Sequence, residues 1–214
     1  DTQTGVTVVL SYPEDYAMLT YMGAMKKFSI DDVDFDYVYQ GKHMHLASYY
    51  LQPKLRSGYV ELFRRCKEEG MSTSLDPGWD PEESWEKDIF DVLKYVDVFL
   101  PNEQEALNIS GESDINKALE KLNQHASIVV VTKGSKGSLL KTKDTSLQAK
   151  AYSVESIDTT GAGDSFNTGF LYQWLKDGDL KQCLKYGSGC GAIATTKMGG
   201  STASPTIEEL QEFL

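Results

Sequence analysis

Short apolar runs alternate along this chain with longer segments whose apolar residues recur at helical spacing. That alternation restricts the architecture to βα units built around a parallel sheet. The runs that read as strands are Val6–Leu10, Tyr37–Leu46, Ser72–Leu75, Val96–Leu100, Ile128–Thr132 and Ser138–Lys141, with Gln148–Tyr152 as a seventh. Between them, Pro53–Glu69 carries Leu55, Tyr59, Leu62, Phe63 and Cys66 at helical spacing and stops at Gly70. Ser84–Leu93 and Asn102–Ile109 read as shorter helices. Ser113–His125 reads as another, capped by Ser113 or Asp114, with Ile115, Ala118, Leu119 and Leu122 inward. Ala162–Lys176, Leu180–Lys197 and Thr206–Leu214 complete the set. No repeat, low-complexity tract or linker interrupts the chain, so residues 1–214 read as a single doubly wound α/β domain.

In an open parallel sheet, ligands sit beyond the carboxyl ends of the strands. Three polar clusters occupy such positions: Asp76-Pro77-Gly78-Trp79, Asn102, and Lys133-Gly134-Ser135-Lys136-Gly137. A net charge of -11 argues against nucleic acid as a partner, because no general basic field would draw in its backbone. No apolar stretch approaches membrane-spanning length. Cys66, Cys183 and Cys190 are odd in number and widely spaced, which fits reduced thiols in a cytoplasmic protein better than a disulfide framework.

The most specific string is Asp158-Thr159-Thr160-Gly161-Ala162-Gly163-Asp164-Ser165-Phe166-Asn167-Thr168-Gly169-Phe170. Two glycines around a small residue let N–H groups turn inward where an amphipathic helix begins, and unpaired amides with the helix dipole favour an anion there. Asp164 beside such a site is electrostatically awkward, unless it is a base next to a transferring phosphoryl group. A glycine turn with an N-capping aspartate would also produce Gly-x-Gly-Asp, although not the longer string. Thr132-Lys133-Gly134-Ser135-Lys136-Gly137 reads either as backbone that a nucleotide approaches closely or as a β-turn. Asn102-Glu103-Gln104-Glu105 sets an amide and a carboxylate three residues apart on one side of an opening helix. The pair either holds the waters of Mg²⁺ or enriches a helix start in acid, while Glu103 reads as a surface residue.

Taken in order, these three motifs resemble those of the ribokinase-like (PfkB) family of carbohydrate and nucleoside kinases. The resemblance covers essentially the whole chain. It implies a Rossmann-like, mostly parallel sheet flanked by helices, and transfer of the γ-phosphoryl group of ATP to a hydroxymethyl group of a sugar or related polyol. It implies Asp164 as the base, with the amides of Gly161, Ala162 and Gly163 around the transferring group. Thr132, Lys133, Gly134, Gly137, Gly163 and Ser188 would contact the nucleotide, while Asn102 and Glu105 would orient waters of Mg²⁺. Asp158 and Thr160 match positions that serve a monovalent cation, K⁺, in related ribokinases. Ala192–Gly200 would add carbonyl oxygens to that ion and a wall for the adenine. No Gly-x-x-x-x-Gly-Lys-Ser/Thr string is present, so amides at a helix start must replace a lysine cradle.

Measured against the family, the chain corresponds to the C-terminal two thirds of the fold, so the lid and first strands are expected to be absent. Homodimerisation through the lid is common in the family. Two other activities fit the same residues: a nucleoside kinase, and a binding or regulatory homologue without turnover. The acceptor is not legible, since it depends on pocket shape and hydrogen bonds. His43 and His45 are expected one inward and one outward in a structural role, without zinc. Trp79 and Trp85 are expected to pack, and Asp31-Asp32-Val33-Asp34 to form a solvated loop.

Overall fold

The chain enters through an antiparallel ribbon, β1 (Val6–Ser11) and β2 (Tyr16–Tyr21), with Val6 opposite Tyr21 and Leu10 opposite Ala17. The second of these strands is absent from the sequence expectation. In this computed structural model residues 2–11, 16–176 and 178–214 are described, and they divide into two units, Asp1–Phe99 and Leu100–Leu214.

The first unit is organised by a parallel ladder of β3 (His43–Leu46), β4 (Ser72–Leu75) and β5 (Val98–Phe99), with His43 beside Ser72 and Ser74 beside Val98. The expected strand Tyr37–Leu46 starts too early. Asp34 accepts a hydrogen bond from Tyr37 N at 3.1 Å and caps one helical turn, α1 (Phe35–Val38), before the strand begins. The acidic run is therefore capping structure more than loop, and Asp32 likewise accepts from Ser29 N at 2.9 Å.

The expected helix Pro53–Glu69 is two helices, α2 (Pro53–Arg56) and α3 (Tyr59–Glu68). Gly58 divides them where a Cβ would lie 2.5 Å from Ile30 Cβ. Tyr59, Leu62, Phe63 and Cys66 are buried as their spacing requires. The expected Ser84–Leu93 shrinks to α4 (Ile89–Leu93). The carboxylate of Asp80 accepts from Glu82 N, Trp85 N and Ser84 Oγ at 3.0, 2.8 and 3.0 Å, and holds Glu83 and Trp85 at φ of 51° and 47°. That left-handed backbone cannot continue a helix. Trp85 is buried against Tyr50, with Trp79 edge-on to it at 5.0 Å.

His43 and His45 share one face of β3, against the expectation that they diverge. Residues two apart on a strand point the same way, and both rings reach Ser74 Oγ, at 2.8 and 2.7 Å. Burial and the neighbouring His45 push the His43 imidazole down to about 4.

The second unit begins with α5 (Glu103–Ser110) and α6 (Ile115–Asn123), the latter capped by Asp114. An antiparallel sheet follows: β6 (Ile128–Thr132), β7 (Ser138–Thr142) and β8 (Ser146–Ala149). Strand β8 stops at Ala149, short of the expected Tyr152. Residues 150–157 then run without a ladder to α7 (Ala162–Trp174). Helix α8 (Leu180–Ala194) packs closely on α7, with a Cβ at Gly169 meeting Tyr186 O at 2.6 Å and Cys190 Sγ at 2.7 Å. The chain closes in α9 (Ile207–Phe213). All three cysteines are buried free thiols, and among the described residues no helix is long and apolar enough to cross a membrane.

Candidate active site

Within the second unit, a cavity of about 310 Å³ lies between the β6–β7 turn, the start of α7 and the last turns of α8. The first wall is the segment Thr132–Gly137. It is a tight turn, closed by Lys133 N donating to Gly137 O at 2.8 Å and Lys136 N to Lys133 O at 3.1 Å. Thr132, Gly134, Ser135 and Gly137 of that turn also line the cavity. Gly137 stands at φ +90°, where a Cβ would lie 2.0 Å from Ala149 O, so only glycine closes the turn against β8.

Lys133 is not on the cavity wall. Its Nζ lies 3.7 Å from Glu103, and Lys136 Nζ lies 3.8 Å from the same carboxylate. Glu103, expected as a surface residue, is thus the shared partner of both lysines. Such separations at partly exposed groups are worth little individually.

Helix α7 supplies the second wall. Gly161, at φ +75°, precedes its first turn, and no side chain caps it. Ala162 N donates to Thr159 O at 3.2 Å, and the first regular helical bond is Ser165 N to Gly161 O. The N–H groups left without a helical acceptor are therefore those of Gly163 and Asp164. Ala162 and Gly163 line the cavity, and Gly163 and Asp164 are exposed. Orphan amides, a positive dipole end and an exposed carboxylate thus share one turn. Gly161 lies against Gly200, whose carbonyl oxygen would be 2.8 Å from an added Cβ.

The third wall is α8, through Ser188, Gly191, Ala192 and Thr195. Ser188 and Ala192, both named from the sequence, are among these lining residues. The segment after β8 is what the sequence reading missed: Ala151, Tyr152, Val154 and Ser156 line the cavity, with Tyr152 edge-on to Phe213 at 5.0 Å. Its first residues, up to Tyr152, read from the sequence as the end of a strand, which drew attention away from a wall placed just before the glycine string.

Asp158 and Thr160 stand at the entry to α7. The Asp158 carboxylate accepts from Gly199 N at 3.0 Å and Thr160 N at 2.9 Å. Those two amides, Gly199 first, hold the carboxyl below the ordinary aspartate range. A depressed folded value contributes stability that is complete above the unfolded pKa, about 3.9, and is lost as pH falls through the lower folded one. The protection factor of the Gly199 amide, its exchange rate relative to an unstructured amide at the same pH, is therefore expected to hold at pH 5 and to fall only below about pH 4, and Asp158→Asn should abolish that acid-dependent step. Loss of protection already at pH 6 would contradict the pairing.

Asn102 and Glu105 form a reciprocal cap on α5. Asn102 Oδ1 accepts from Glu105 N at 2.9 Å, and Asn102 N donates to Glu105 Oε2 at 2.8 Å. Asn102 also bridges to Thr132 in parallel, and Thr132 N donates to Pro101 O at 3.2 Å. The Asn-x-x-Glu pair and the turn are thereby fixed to one another. Among the described residues no group of three or more His, Cys, Asp or Glu side chains is placed to hold a metal.

Residues 1–207 match the pfkB family carbohydrate kinase family. An uncharacterized sugar kinase of Archaeoglobus fulgidus is 33% identical over 189 residues, covering 88% of this chain and 75% of that protein. Fructokinase-2 of Oryza sativa is 30% identical over 198 residues, covering 86% of this chain; the chain spans only 59% of that relative's length. A fructokinase double mutant from Vibrio cholerae, solved with fructose, ADP and potassium ion, aligns with a TM-score of 0.83 and 27% identity, covering 97% of this chain and 72% of its own. That likeness bears out the α/β class expected from the alternation of strands and helices.

Proposed function

The chain belongs to the pfkB family of carbohydrate kinases, and from that premise we propose that it transfers the γ-phosphoryl group of ATP to a hydroxymethyl group of a sugar. In this reading residues 1–214 act as one kinase domain. The observation that carries it is the first turn of α7, uncapped, with Gly163 on the cavity wall and Asp164 exposed beside it. A sugar hydroxyl is a poor nucleophile, and Asp164 accepts its proton as the bond to phosphorus forms. The Gly163 and Asp164 amides, with Gly161 and Ala162 shaping the turn, receive charge on the equatorial oxygens. They are fixed by the helix before the substrate arrives, so little reorganisation is needed at the moment of transfer.

The nucleotide lies in the cavity between Gly134, Gly137 and Ser188. Thr132 and Lys133 hold the turn through their main-chain N–H groups, Thr132 to Pro101 O and Lys133 to Gly137 O. Mg²⁺ supplies neutralisation of the phosphate oxygens when bound, and an all-oxygen pair such as Asn102 and Glu105 fits it through water. Asp158 and Thr160 are the proposed neighbours of a K⁺ ion, supported by the carboxylate charge held ionised there and by the potassium-bound fructokinase.

The test is a screen of pentoses, hexoses, keto-acid sugars and nucleosides with Mg-ATP, followed by ADP release and by phosphorus NMR of the product. A phosphomonoester on a sugar supports the proposal. Tight ATP binding with no acceptor phosphorylated would replace it with a regulatory homologue. Glu105→Gln keeps an oxygen for the Asn102 cap but removes the charge. It is expected to raise the Mg²⁺ concentration for half-maximal rate several-fold with little change in thermal stability. An unchanged Mg²⁺ titration would remove Glu105 from the metal site.

A further inference from the structure

The cavity wall formed by residues 150–156 is held differently from the others. Behind it, Ala149 ends the ladder to β7 opposite Ser138; ahead of it, Ile157 N donates to Thr195 O at 2.7 Å. Among the described residues no hydrogen bond holds the main chain between those anchors. Side-chain packing must therefore place what this segment presents to a ligand. The largest group it presents is the Tyr152 ring, which lines the cavity. That ring meets Phe213 of α9 edge-on, with centroids 5.0 Å apart and planes at 63°.

Helix α9 is fixed firmly enough to give that support. Thr206 and Glu209 cap it reciprocally, Thr206 N donating at 2.8 Å and Glu209 N at 3.2 Å. Leu210 is buried, and a Cβ at Gly189 of α8 would lie 2.7 Å from Leu210 Cδ1 and 2.8 Å from Leu214 Cδ2. Gly189 follows Ser188, a residue of the α8 wall. Leu210, Phe213 and Leu214 stand three and four residues apart, on one side of the helix. One short helix thus braces α8 with two leucines and the 150–156 segment with a phenylalanine.

With phosphates at the Gly163 turn, the base falls to the apolar part of the wall, where Ala151, Tyr152, Val154, Phe166 and Ala192 lie. Phe166 is buried and stacks on Phe170, centroids 6.4 Å apart, whereas Tyr152 is half-buried and has surface left for a base. Burial pushes the Tyr152 phenol above the ordinary tyrosine value, so the ring stays uncharged beside a polyanion. We infer that, in the nucleotide site of the proposed kinase, a reading on which this rests, the base packs on Tyr152 and Phe213 positions that ring. Tyr152 is then a binding residue, and Phe213 acts only through it.

The test is calorimetry with Mg²⁺ and the non-hydrolysable imido analogue of ATP on the parent, Tyr152→Ala, Phe213→Ala, the double variant and Phe213→Tyr. Base–aromatic stacking is worth about 5–150-fold in affinity, the loss expected for Tyr152→Ala. An aromatic pair is worth about 2–12-fold, the loss expected for Phe213→Ala, and Phe213→Tyr should restore most of it. Phe213 is 36% exposed, so its removal leaves Leu210 and Leu214 to hold α9. In the Tyr152→Ala background Phe213→Ala should cost nothing further, because its partner is gone. Steady-state kinetics should show the Phe213→Ala factor in KM for ATP, with kcat held. An unchanged Kd for Tyr152→Ala overturns the inference. A Phe213→Ala loss that is absent, or equal in both backgrounds as a merely loosened helix would give, overturns it too. These outcomes leave the kinase reading intact. The expected pattern of Kd values with no acceptor phosphorylated supports the inference and overturns the kinase reading. A parent that fails to bind the analogue overturns both.

Discussion

Asp164→Asn is expected to lower turnover by about 10²–10⁴ while ATP affinity stays the same or tightens slightly. The amide keeps the shape of the side chain at the third position of α7 but cannot accept the alcohol proton. The direction of the affinity change follows from charge, since a carboxylate beside the phosphates opposes the nucleotide and its removal relieves that. Folding should hardly notice, because an exposed acid in the first turn of a helix contributes only about 0.3–1 kcal/mol through the dipole. A protein that melts near the parent, binds ATP and barely turns over is the expected result. Steady-state kinetics, calorimetry and a melting curve decide it. Near-normal turnover removes Asp164 as the base.

Gly137→Ala is expected to be the most damaging of the small substitutions, and Gly134→Ala three positions away is its control. Both glycines have positive φ, +90° and +54°. An added Cβ at Gly134 meets nothing within 4 Å, so that change costs only the left-handed backbone, about 1–2 kcal/mol. At Gly137 the same atom would stand 2.0 Å from Ala149 O, a main-chain atom of β8 that cannot swing aside. The turn must open or the β7–β8 ladder must shift. The expected loss exceeds about 3 kcal/mol, together with most nucleotide binding, because the turn is a wall of the cavity. Denaturant unfolding of the two variants and their ATP-analogue affinities measure the contrast. Equal, mild effects would mean that the turn is not closed as described.

What was legible in the sequence is what local chemistry fixes. The glycine string announced the start of α7, because Gly161 needs a left-handed backbone and Gly163 an open approach. The Asn102–Glu105 spacing announced a helix start in the same way. Whether that pair is a cap or a metal holder is not a local question, and its geometry is that of a cap. Elements governed by distant partners were misjudged. Asp80 gathers three donors and delays α4. Ile30 crowds Gly58 and divides one expected helix into two. Tyr152 takes its place in the cavity beside Phe213, sixty-one residues on, and no periodicity in residues 150–157 signals that. The His43 and His45 expectation failed for a simpler reason, since a two-residue spacing on a strand keeps both rings on one face.

The most direct measurement is a crystal structure of the protein with a non-hydrolysable ATP analogue, Mg²⁺ and an accepted sugar. The account predicts the terminal phosphate within hydrogen-bonding reach of the Gly163 and Asp164 N–H groups, with the Asp164 carboxylate against the acceptor hydroxyl. A terminal phosphate bound elsewhere, with Asp164 facing bulk solvent, would contradict it.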